Sequence, residues 1–580
     1  MLHEFTLSNG KAMINYTLKY CDTKQKLLNS HGFRRVIESF IKEVLKRDEI
    51  VIYNYYIDDL GSEEELINSL IEVFKLLTVF NIEEVLEVDN KYAIFFKDKD
   101  LFIEITELLL VYWKRLERYA IVHSNRISEG LQSVRFIQAN GMFNDLILAT
   151  GRRIQETVNQ HPTRIYRQST AGANAGLTLN DVNWNCPVEY KGLAAIPFIS
   201  KVVIQPPFIS YTKKNTRDGI FQEHNQNPLR NIILNEDDWF AYPVKVGNML
   251  TFVYFHRDFM VHGIGLSNLF EIATEDEYIG KKPDIIYVFG YPDGEKEKRT
   301  FYYKDKKNDI LIGYANHCDD IDYFGYMKKM LLTLHNVKQI EKKRLPIHGA
   351  MVNIVLKNGT ESNIIIMGDS GAGKSESLEA FRTLNENFIR HMRVIFDDMG
   401  YLVKEEDGTI KGYGTEIGAF VRIDDLDPAY AYEQMDRGIF TNPDRINARV
   451  TIPISTYEVI SKGYKVDIML YANNYAESDK KIVFYNDLDK VIEIFESGAR
   501  KAKGTTTEKG LVKSYFANPF GPVQEQAETE VLVRSFFKDM KDANVQIGEI
   551  HTSLAIEGKA KEGPHEAAEE LFSLINQDNK

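Results

Sequence analysis

The sequence predicts an α/β protein of several domains, with a phosphate-binding loop in its C-terminal part. Three observations support this fold class. The chain has 580 residues, stretches with helical spacing of apolar residues alternate with short β-rich runs, and Gly368–Ser375 matches a phosphate-loop pattern between an apolar strand and a helix. Hydrophobic residues make up 44% of the chain and charged residues 27%, which excludes a mainly disordered protein. At roughly 100–200 residues per domain, two to four domains are expected.

Charge and cysteine content narrow the functional classes. The formal net charge is −13, and without a basic excess the composition argues against a nucleic-acid or anionic-membrane partner. Cys21, Cys186 and Cys318 are far apart and form no CxxC pair, which excludes a disulfide framework and a cysteine zinc site. There is no signal-peptide pattern and no apolar run of about 18 residues, so we expect a cytoplasmic protein without a membrane span.

Residues 1–135 predict an accessory α/β region of unknown role. Ser62 followed by Glu63–Glu65 is typical of a capped helix start, since acidic residues in the first turn complement the helix dipole. Apolar residues then recur with helical spacing through Leu77, and Thr106–Val122 has a similar helical character. No residues with recognisable chemistry stand out in this region.

Residues 136–345 predict a mixed-sheet domain, and residues 346–580 predict a nucleotide-binding domain. A turn cluster at Gly290–Gly294 separates β-rich runs in the first of these. The strands predicted there are Ala195–Ile204, Leu250–Phe255, Ile285–Phe289, Thr300–Tyr303 and Ile310–Tyr314. The last segment is predicted to contain strands Val352–Leu356 and Asn363–Met367 around the turn Lys357–Gly359, a helix over Ser377–Arg382 and a closing helix from Glu562.

The phosphate-loop pattern has a physical reason at each position. Its residues are Gly368, Asp369, Ser370, Gly371, Ala372, Gly373, Lys374 and Ser375. The glycines allow a tight turn that aims backbone N–H groups at phosphate oxygens, and the helix N-terminus adds its positive end. Lys374 is predicted to reach the β- and γ-phosphates, and the Ser375 hydroxyl to ligate Mg²⁺. The motif predicts a bound nucleotide with Mg²⁺ as its metal.

Other residues are weaker candidates for metal and acceptor contacts. Arg393–Asp398 predicts a strand that ends in two acids, Asp397 and Asp398, as a metal-holding strand of a phosphate-loop enzyme does. His348 precedes the phosphate loop, but a lone histidine is usually structural. Adjacent lysines such as Lys328-Lys329 usually lie on a solvent-exposed surface. To this point the residues indicate a phosphotransferase or a nucleotide hydrolase.

The order of these blocks resembles the ATP-type phosphoenolpyruvate carboxykinases over roughly residues 280–580. The blocks are Tyr323-x-Gly-x-Met-Lys-Lys329, Ile347-His348, the phosphate loop, Asp397-Asp398 and Asn447-x-Arg449-Val-x-x-Pro453. The resemblance implies a two-lobed architecture, with residues 136–345 as the substrate-side lobe and residues 346–580 as the nucleotide- and metal-binding lobe. It implies conversion of oxaloacetate and ATP to phosphoenolpyruvate, ADP and CO₂, with Mg²⁺ and Mn²⁺.

The resemblance also implies a role for each matched residue. Lys329, His348 and Asp398 match ligands of the catalytic Mn²⁺, and Lys328 would help to keep the Lys329 amine neutral. Asp397 matches an acid near the nucleotide metal. Tyr323 and Ser370 match substrate-side positions, and Arg449 matches the arginine that bridges the substrate and the transferring phosphoryl group.

The chain departs from the carboxykinase pattern at several positions. Met399 stands where an acid usually follows the paired aspartates, and Ser375-Glu376 replaces two threonines. The family's arginine for the substrate carboxylate has two candidates here, the pair in Gly151-Arg152-Arg153 and Arg217.

Two alternatives follow from these departures. His348-Gly349, the Ser375-Glu376 ending and the paired aspartates are similar to the HPr kinase/phosphorylase family, which implies a kinase for a protein or small-molecule hydroxyl. The other alternative is a regulator that binds a nucleotide without turnover. Retention of a second set of metal-ligating residues argues against this last alternative. The sequence leaves the oligomeric state open.

Overall fold

The computed structural model describes residues 3–17, 21–123, 135–160, 170–369, 371–383, 389–423, 435, 437–502, 510–556, 558–559 and 562–577. It is mixed α/β with several mixed sheets, as the sequence predicts. The chain forms two compact units, one of Met1–Asp181 with Pro197–Phe208 and one of Val182–Ile196 with Ile209–Lys580. The predicted roles of segments 1–135, 136–345 and 346–580 stay predictions. Within the described ranges, no helix combines the length and apolar character that crossing a membrane requires.

The first unit has a sheet in the order β1-β2-β3-β4-β5. The strands are β1 (Phe5–Ser8), β2 (Lys11–Asn15), β3 (Glu117–His123), β4 (Ala175–Asn180) and β5 (Phe198–Ile204). Strands β2, β3 and β4 are parallel, and β1 and β5 are antiparallel to their neighbours. The helices are α1 (Lys24–Leu28), α2 (His31–Phe40), α3 (Ile50–Leu60), α4 (Glu63–Leu77), α5 (Ile82–Val88), α6 (Ile94–Lys97), α7 (Lys99–Arg115) and α8 (Phe136–Asn159).

One helix prediction in this unit is confirmed and one is partly wrong. The Ser62 side chain caps α4 by accepting a hydrogen bond from the Glu65 N–H, as the sequence predicts. The helical character assigned to Thr106–Val122 holds only to Arg115, because Glu117–His123 is strand β3. All seven residues of β3 are buried in the sheet. A short run buried on both faces has no alternation that would distinguish it from helix.

The second unit begins with a sheet in the order β8-β9-β11-β13-β12-β7, and β10 pairs with β8. A short strand, β6 (Phe208–Ser210), precedes β7 (Gln222–Glu223), β8 (Trp239–Val246), β9 (Met249–His256), β10 (Glu271–Ile272), β11 (Ile285–Tyr291), β12 (Thr300–Asp305) and β13 (Ile310–Asn316). These bounds confirm the predicted strands of this region to within a few residues. Strands β9, β11 and β13 are mutually parallel, so their carboxyl ends lie at one edge.

A second sheet of this unit carries the phosphate loop, in the order β21-β17-β16-β14-β15-β22-β26-β23. The remaining strands are β14 (Leu345–Leu356), β15 (Glu361–Met367), β16 (Ile389–Lys404), β17 (Ile410–Gly414), β18 (Gly418–Arg422), β19 (Ile439–Thr441), β20 (Arg449–Pro453), β21 (Tyr464–Lys465), β22 (Ile468–Asn473), β23 (Ile482–Phe484), β24 (Ala499–Lys501), β25 (Leu511–Lys513) and β26 (Gln546–His551). Strands β14 and β15 form the predicted hairpin, with Gly359 at φ +91° in its turn.

One helix of the second unit lies between its two large sheets. The helices are α9 (Met260–Gly265), α10 (Glu275–Tyr278), α11 (Phe324–Glu341), α12 (Lys374–Thr383), α13 (Tyr457–Ser461), α14 (Leu488–Ser497), α15 (Gln526–Asp542) and α16 (Glu562–Gln577). Helix α11 contacts β8, β11 and β13 of the first sheet and β14 and β16 of the second. It is buried on almost every face, as expected of a helix enclosed between layers. Lys328 and Lys329 therefore point into the interior of this unit and not into water.

Candidate active site

The phosphate loop follows β15 and leads into α12, in the strand–loop–helix context that the motif predicts. Strands β15, β22 and β26 are parallel, so the loops after them meet at the same edge. The Asn474 amide donates a hydrogen bond to the Gly371 carbonyl (3.0 Å), and the Thr552 hydroxyl donates one to the Ala372 carbonyl (3.1 Å). Gly373 has φ +109°, and a Cβ there would lie 2.7 Å from the Thr552 hydroxyl oxygen. Neighbouring strand ends thus fix the loop, and only glycine fits at position 373.

Lys374 begins α12 and is buried, with 6% of its surface exposed. Among the described residues its Nζ has no hydrogen-bond partner. Burial lowers the pKa of Lys374, while the charges of Asp398 and Asp369 act in the opposite direction. A buried ammonium group without a hydrogen-bond acceptor is costly to leave unpaired, and a phosphate oxygen would satisfy it.

Two predicted residues of the loop need separate mention. Ser370 lies outside the described residues. Ser375 is the second residue of α12, but its side chain lies outside what the structure describes, so its predicted Mg²⁺ contact stays a prediction.

Asp398 is the centre of a cluster of basic groups drawn from α11 and β14. Its Oδ2 accepts hydrogen bonds from the Nζ atoms of Lys328 (2.7 Å) and Lys329 (2.6 Å), and its Oδ1 lies 3.0 Å from His348 Nε2. Burial works against a charge on Asp398, but the two lysines outweigh it and hold the pKa of this carboxyl well below its usual range. The structure therefore brings together the three residues that the resemblance assigns to one metal ion.

The backbone at Asp398 differs from the prediction. The sequence predicts a strand ending at Asp397 and Asp398, but β16 continues to Lys404. It stays paired with β14 beyond the two acids, because Met399 lies opposite His348 and Gly400 opposite Ile347. Asp398 itself has φ +109°, a left-handed conformation that a residue other than glycine adopts at a cost of about 1–3 kcal/mol. The hydrogen bonds from the two lysine amines to the carboxylate offset this strain.

The hydrogen bonds of His348 fix its tautomer. Its Nδ1 lies 2.7 Å from the Ala517 carbonyl oxygen, which can only accept, so Nδ1 carries the proton. Burial and the charge of Lys374 lower the pKa of His348, which favours a neutral ring. A neutral ring then has its Nε2 lone pair facing the Asp398 carboxylate. Two lone pairs at this distance need a proton or a cation between them, so the pair fits a metal ion.

The two lysines beside Asp398 differ in their ionisation. Burial lowers the pKa of Lys329 to about 8, and the neighbouring charge of Lys328 adds to this effect. Burial also works against the charge of Lys328, but Asp398 and Glu416 outweigh it and raise the pKa of that amine above its usual value. Of these two lysines, only Lys329 loses its proton readily, and metal ligation requires a neutral amine. A neutral amine, an imidazole and a carboxylate suit a divalent transition-metal ion such as Mn²⁺.

Glu416 is a member of this cluster that the sequence analysis missed. Its carboxylate lies 2.9 Å from Lys328 Nζ in a fully buried ion pair, and burial raises the pKa of Glu416 to about 7. The residue lies between β17 and β18, far from α11 in the chain. Its one signal is an acid within the apolar and glycine-rich stretch Gly412–Ala419.

Asp369 of the phosphate loop has a second function in the structure. Its Oδ2 accepts a hydrogen bond from Arg500 Nε (3.1 Å), and its Oδ1 lies 3.6 Å from His348 Nδ1. It thus joins the loop to β24 and lies near His348 of β14. Arg500 was not a predicted site residue, because 131 positions separate it from its partner. Asp397 lies next to Asp398 on β16 and is half-buried.

Aromatic rings connect the predicted substrate-side residues to the cluster. The Phe420 ring lies 5.7 Å from the Tyr323 ring and 5.4 Å from the Arg449 guanidinium carbon. The Phe520 ring lies 4.6 Å from Lys329 Nζ and 5.1 Å from the Arg217 guanidinium carbon. Arg217 is therefore on the same ring as a member of the Asp398 cluster. Arg152 and Arg153, the other candidates for the carboxylate arginine, are on α8 of the first unit.

No protein-family model matches this chain, and no curated protein shows significant similarity to it.

Proposed function

We propose that this protein is an ATP-dependent phosphotransferase of the phosphoenolpyruvate carboxykinase type, with the two-lobed architecture of those enzymes. It would convert oxaloacetate and ATP to phosphoenolpyruvate, ADP and CO₂. One observation supports this proposal above all others: Lys329, His348 and Asp398 lie around one point in the unit that also contains the phosphate loop. A kinase or a nucleotide sensor needs the phosphate loop and one metal, but it does not need a second site with a lysine ligand.

Two groups of residues would each bind one metal ion. Lys329, His348 and Asp398 would hold Mn²⁺, and Ser375, with Asp397 nearby, would hold the Mg²⁺ of ATP. Bound there, Mn²⁺ would supply a Lewis acid for the enolate that forms when CO₂ leaves. Lys328 stays charged between Asp398 and Glu416, so it keeps the Asp398 carboxylate ionised and disfavours protonation of Lys329.

Phosphoryl transfer would depend on cations already in place. The enolate oxygen attacks the γ-phosphorus as the bond to ADP breaks, and negative charge spreads over the phosphoryl oxygens. Lys374 is buried and lacks a hydrogen-bond partner among the described residues, so it is prepared to stabilise this charge. The buried Nε of Arg449 also has no hydrogen-bond partner among the described residues. Arg449 would bridge the acceptor and the phosphoryl group.

Arg217 is the best candidate for binding the substrate carboxylate. It is half-buried, and burial lowers the pKa of its guanidinium group. It lies against the same Phe520 ring as Lys329, which would place a carboxylate-binding group near the proposed Mn²⁺ site. This arrangement supports a small carboxylic acid such as oxaloacetate as the acceptor, and not a protein hydroxyl.

The experiment combines the purified full chain with oxaloacetate, ATP, Mg²⁺ and Mn²⁺ and measures phosphoenolpyruvate. CO₂ is not a sufficient readout, because oxaloacetate decarboxylates without an enzyme. We expect phosphoenolpyruvate to form in proportion to protein and to be absent with Lys374→Ala. We also expect Arg217→Gln to raise KM for oxaloacetate at least tenfold and to leave KM for ATP unchanged, whereas Lys213→Gln, on the same segment, changes neither.

The alternatives predict different outcomes in the same assay. ADP formation with a protein or hydroxyl acceptor, and no phosphoenolpyruvate, would favour the HPr-kinase-like function. ATP binding without turnover of any acceptor would favour the regulator. Either outcome refutes the decarboxylating reaction.

A further inference from the structure

A second group of metal-ligating side chains lies at the edge of the first sheet of the second unit. Strands β9, β11 and β13 are parallel, with β11 in the middle, so their carboxyl ends lie together. His256 is the last residue of β9, and His317 directly follows the last residue of β13. Asp258 is two residues beyond His256. The carboxyl ends of parallel strands are where α/β sheets most often bind ligands.

The three side chains are close enough to share one ion. His317 Nε2 lies 2.9 Å from Asp258 Oδ2, and His256 Nδ1 lies 3.6 Å from the same oxygen. One ligand atom from each residue lies within 4.8 Å of the other two, and all three residues are half-buried. Ligands of a tetrahedral Zn²⁺ at about 2.0–2.1 Å from the metal are somewhat closer together than this. Small side-chain rotations therefore suffice to close the site.

The surroundings hold the two rings in place. The His256 Nδ1 accepts a hydrogen bond from the Asp258 N–H (3.3 Å), so the lone pair of its neutral ring is on this nitrogen, and a bound metal ion would replace that hydrogen bond. The Phe259 ring lies 5.1 Å from the His317 ring, and the Trp239 ring lies 5.5 Å from the His256 ring. These aromatic rings hold the imidazoles at the sheet edge and shield them partly from water.

Gly290, on the middle strand, leaves the space that the group occupies. It has φ +88°, and a Cβ there would lie 2.4 Å from the Phe259 ring and 3.3 Å from the His256 Cβ. A larger residue at the end of β11 would push these side chains away from His317. The absence of a side chain at Gly290 thus allows the side chains at the ends of β9 and β13 to approach each other across β11.

We propose that His256, Asp258 and His317 bind one divalent transition-metal ion, with Zn²⁺ as the best fit. Two imidazoles and one carboxylate are a borderline-soft donor set that suits Zn²⁺ and Co²⁺ better than Mg²⁺ or Ca²⁺. Bound Zn²⁺ would join the ends of β9 and β13 across β11 and would have room for further ligands. The ligands of this site differ from those proposed at the Asp398 cluster, where a lysine amine takes the place of one of the two imidazoles.

The test is Zn²⁺ and Co²⁺ binding to the full-length, chelator-treated protein by calorimetry and by Co²⁺ absorption spectra. The variants are His317→Ala and Asp258→Asn, and the matched control is His224→Ala, a half-buried histidine of the same unit. Because His317 is partly exposed, its truncation should leave the melting temperature of the metal-free protein nearly unchanged, which shows that the variant folds.

We expect one equivalent of Zn²⁺ to be lost, or its affinity to fall at least 100-fold, in His317→Ala and Asp258→Asn but not in His224→Ala. We also expect Zn²⁺ to raise the melting temperature of the wild type more than that of either variant. Equal Zn²⁺ binding by wild type and His317→Ala would overturn the proposal, as would no stoichiometric Zn²⁺ binding by the wild type. The readouts do not involve phosphoenolpyruvate, so they stand or fall independently of the proposed reaction.

Discussion

Lys374→Met should make the nucleotide-free protein more stable while it destroys the response to ATP. Lys374 is 6% exposed, and its Nζ has no hydrogen-bond partner among the described residues. Methionine has a similar length and volume but neither the charge nor the hydrogen-bonding group. The substitution therefore removes an unsatisfied buried cation and keeps most of the packing around α12.

The expected gain follows from the cost of an unsatisfied buried group. Measured costs are about 1–3 kcal/mol, and more for charged groups, so we expect the free energy of unfolding to rise by about 1–3 kcal/mol. The lowered pKa of Lys374 has the same origin, since burial penalises the ammonium form. ATP at about 100 times its Kd should stabilise the wild type by about 2.7 kcal/mol and the variant hardly at all.

Lys338→Met is the matched control, because Lys338 is equally buried but paired. It is 4% exposed, and its Nζ contacts Asp309 and lies 3.5 Å from Glu341 Oε2. Its loss should lower stability and leave the ATP response intact. Calorimetric melting with and without ATP measures both effects. A Lys374→Met protein that is less stable than the wild type and still stabilised by ATP would show that the lysine is structural and would refute this reasoning.

Two further predictions concern the interior of the second unit. Asp398→Asn should lower the free energy of unfolding in chemical denaturation by about 3–5 kcal/mol, because it leaves Lys329 buried without its counter-charge. Asp309→Asn removes a carboxylate that is exposed to solvent, so it should lower the free energy of unfolding by less than about 1 kcal/mol. Equal losses in the two variants would contradict the central role of Asp398. Burial, with Lys342 and Arg344, lowers the pKa of His335 to about 3, while an unfolded histidine has a pKa of about 6.5, so the unfolded state binds the proton first as pH falls. The stabilising contribution of this histidine should be full above about pH 7 and should fall by about 2 kcal/mol between pH 7 and pH 5. His335→Gln should remove this contribution from the dependence of stability on pH; a dependence that is unchanged in the variant would exclude the effect.

Local patterns in the sequence predicted the elements that depend on a few neighbouring residues. The Ser62 cap, the hairpin turn at Gly359 and the strand–loop–helix context of the phosphate loop all follow from backbone conformations that short segments specify. The strand Glu117–His123 was missed because burial on both faces, which only the completed sheet provides, removes its periodicity.

The sequence by itself determined that this chain has a phosphate loop with a lysine and a serine at its end. The tertiary structure decided which charges meet. By enclosing α11 between two sheets, it buries Lys328 and Lys329 against Asp398 and brings in Glu416. It also gives the two adjacent lysines opposite pKa shifts. The physical reason is that motif geometry is set along the backbone, whereas desolvation and Coulomb energies depend on neighbours far away in the chain.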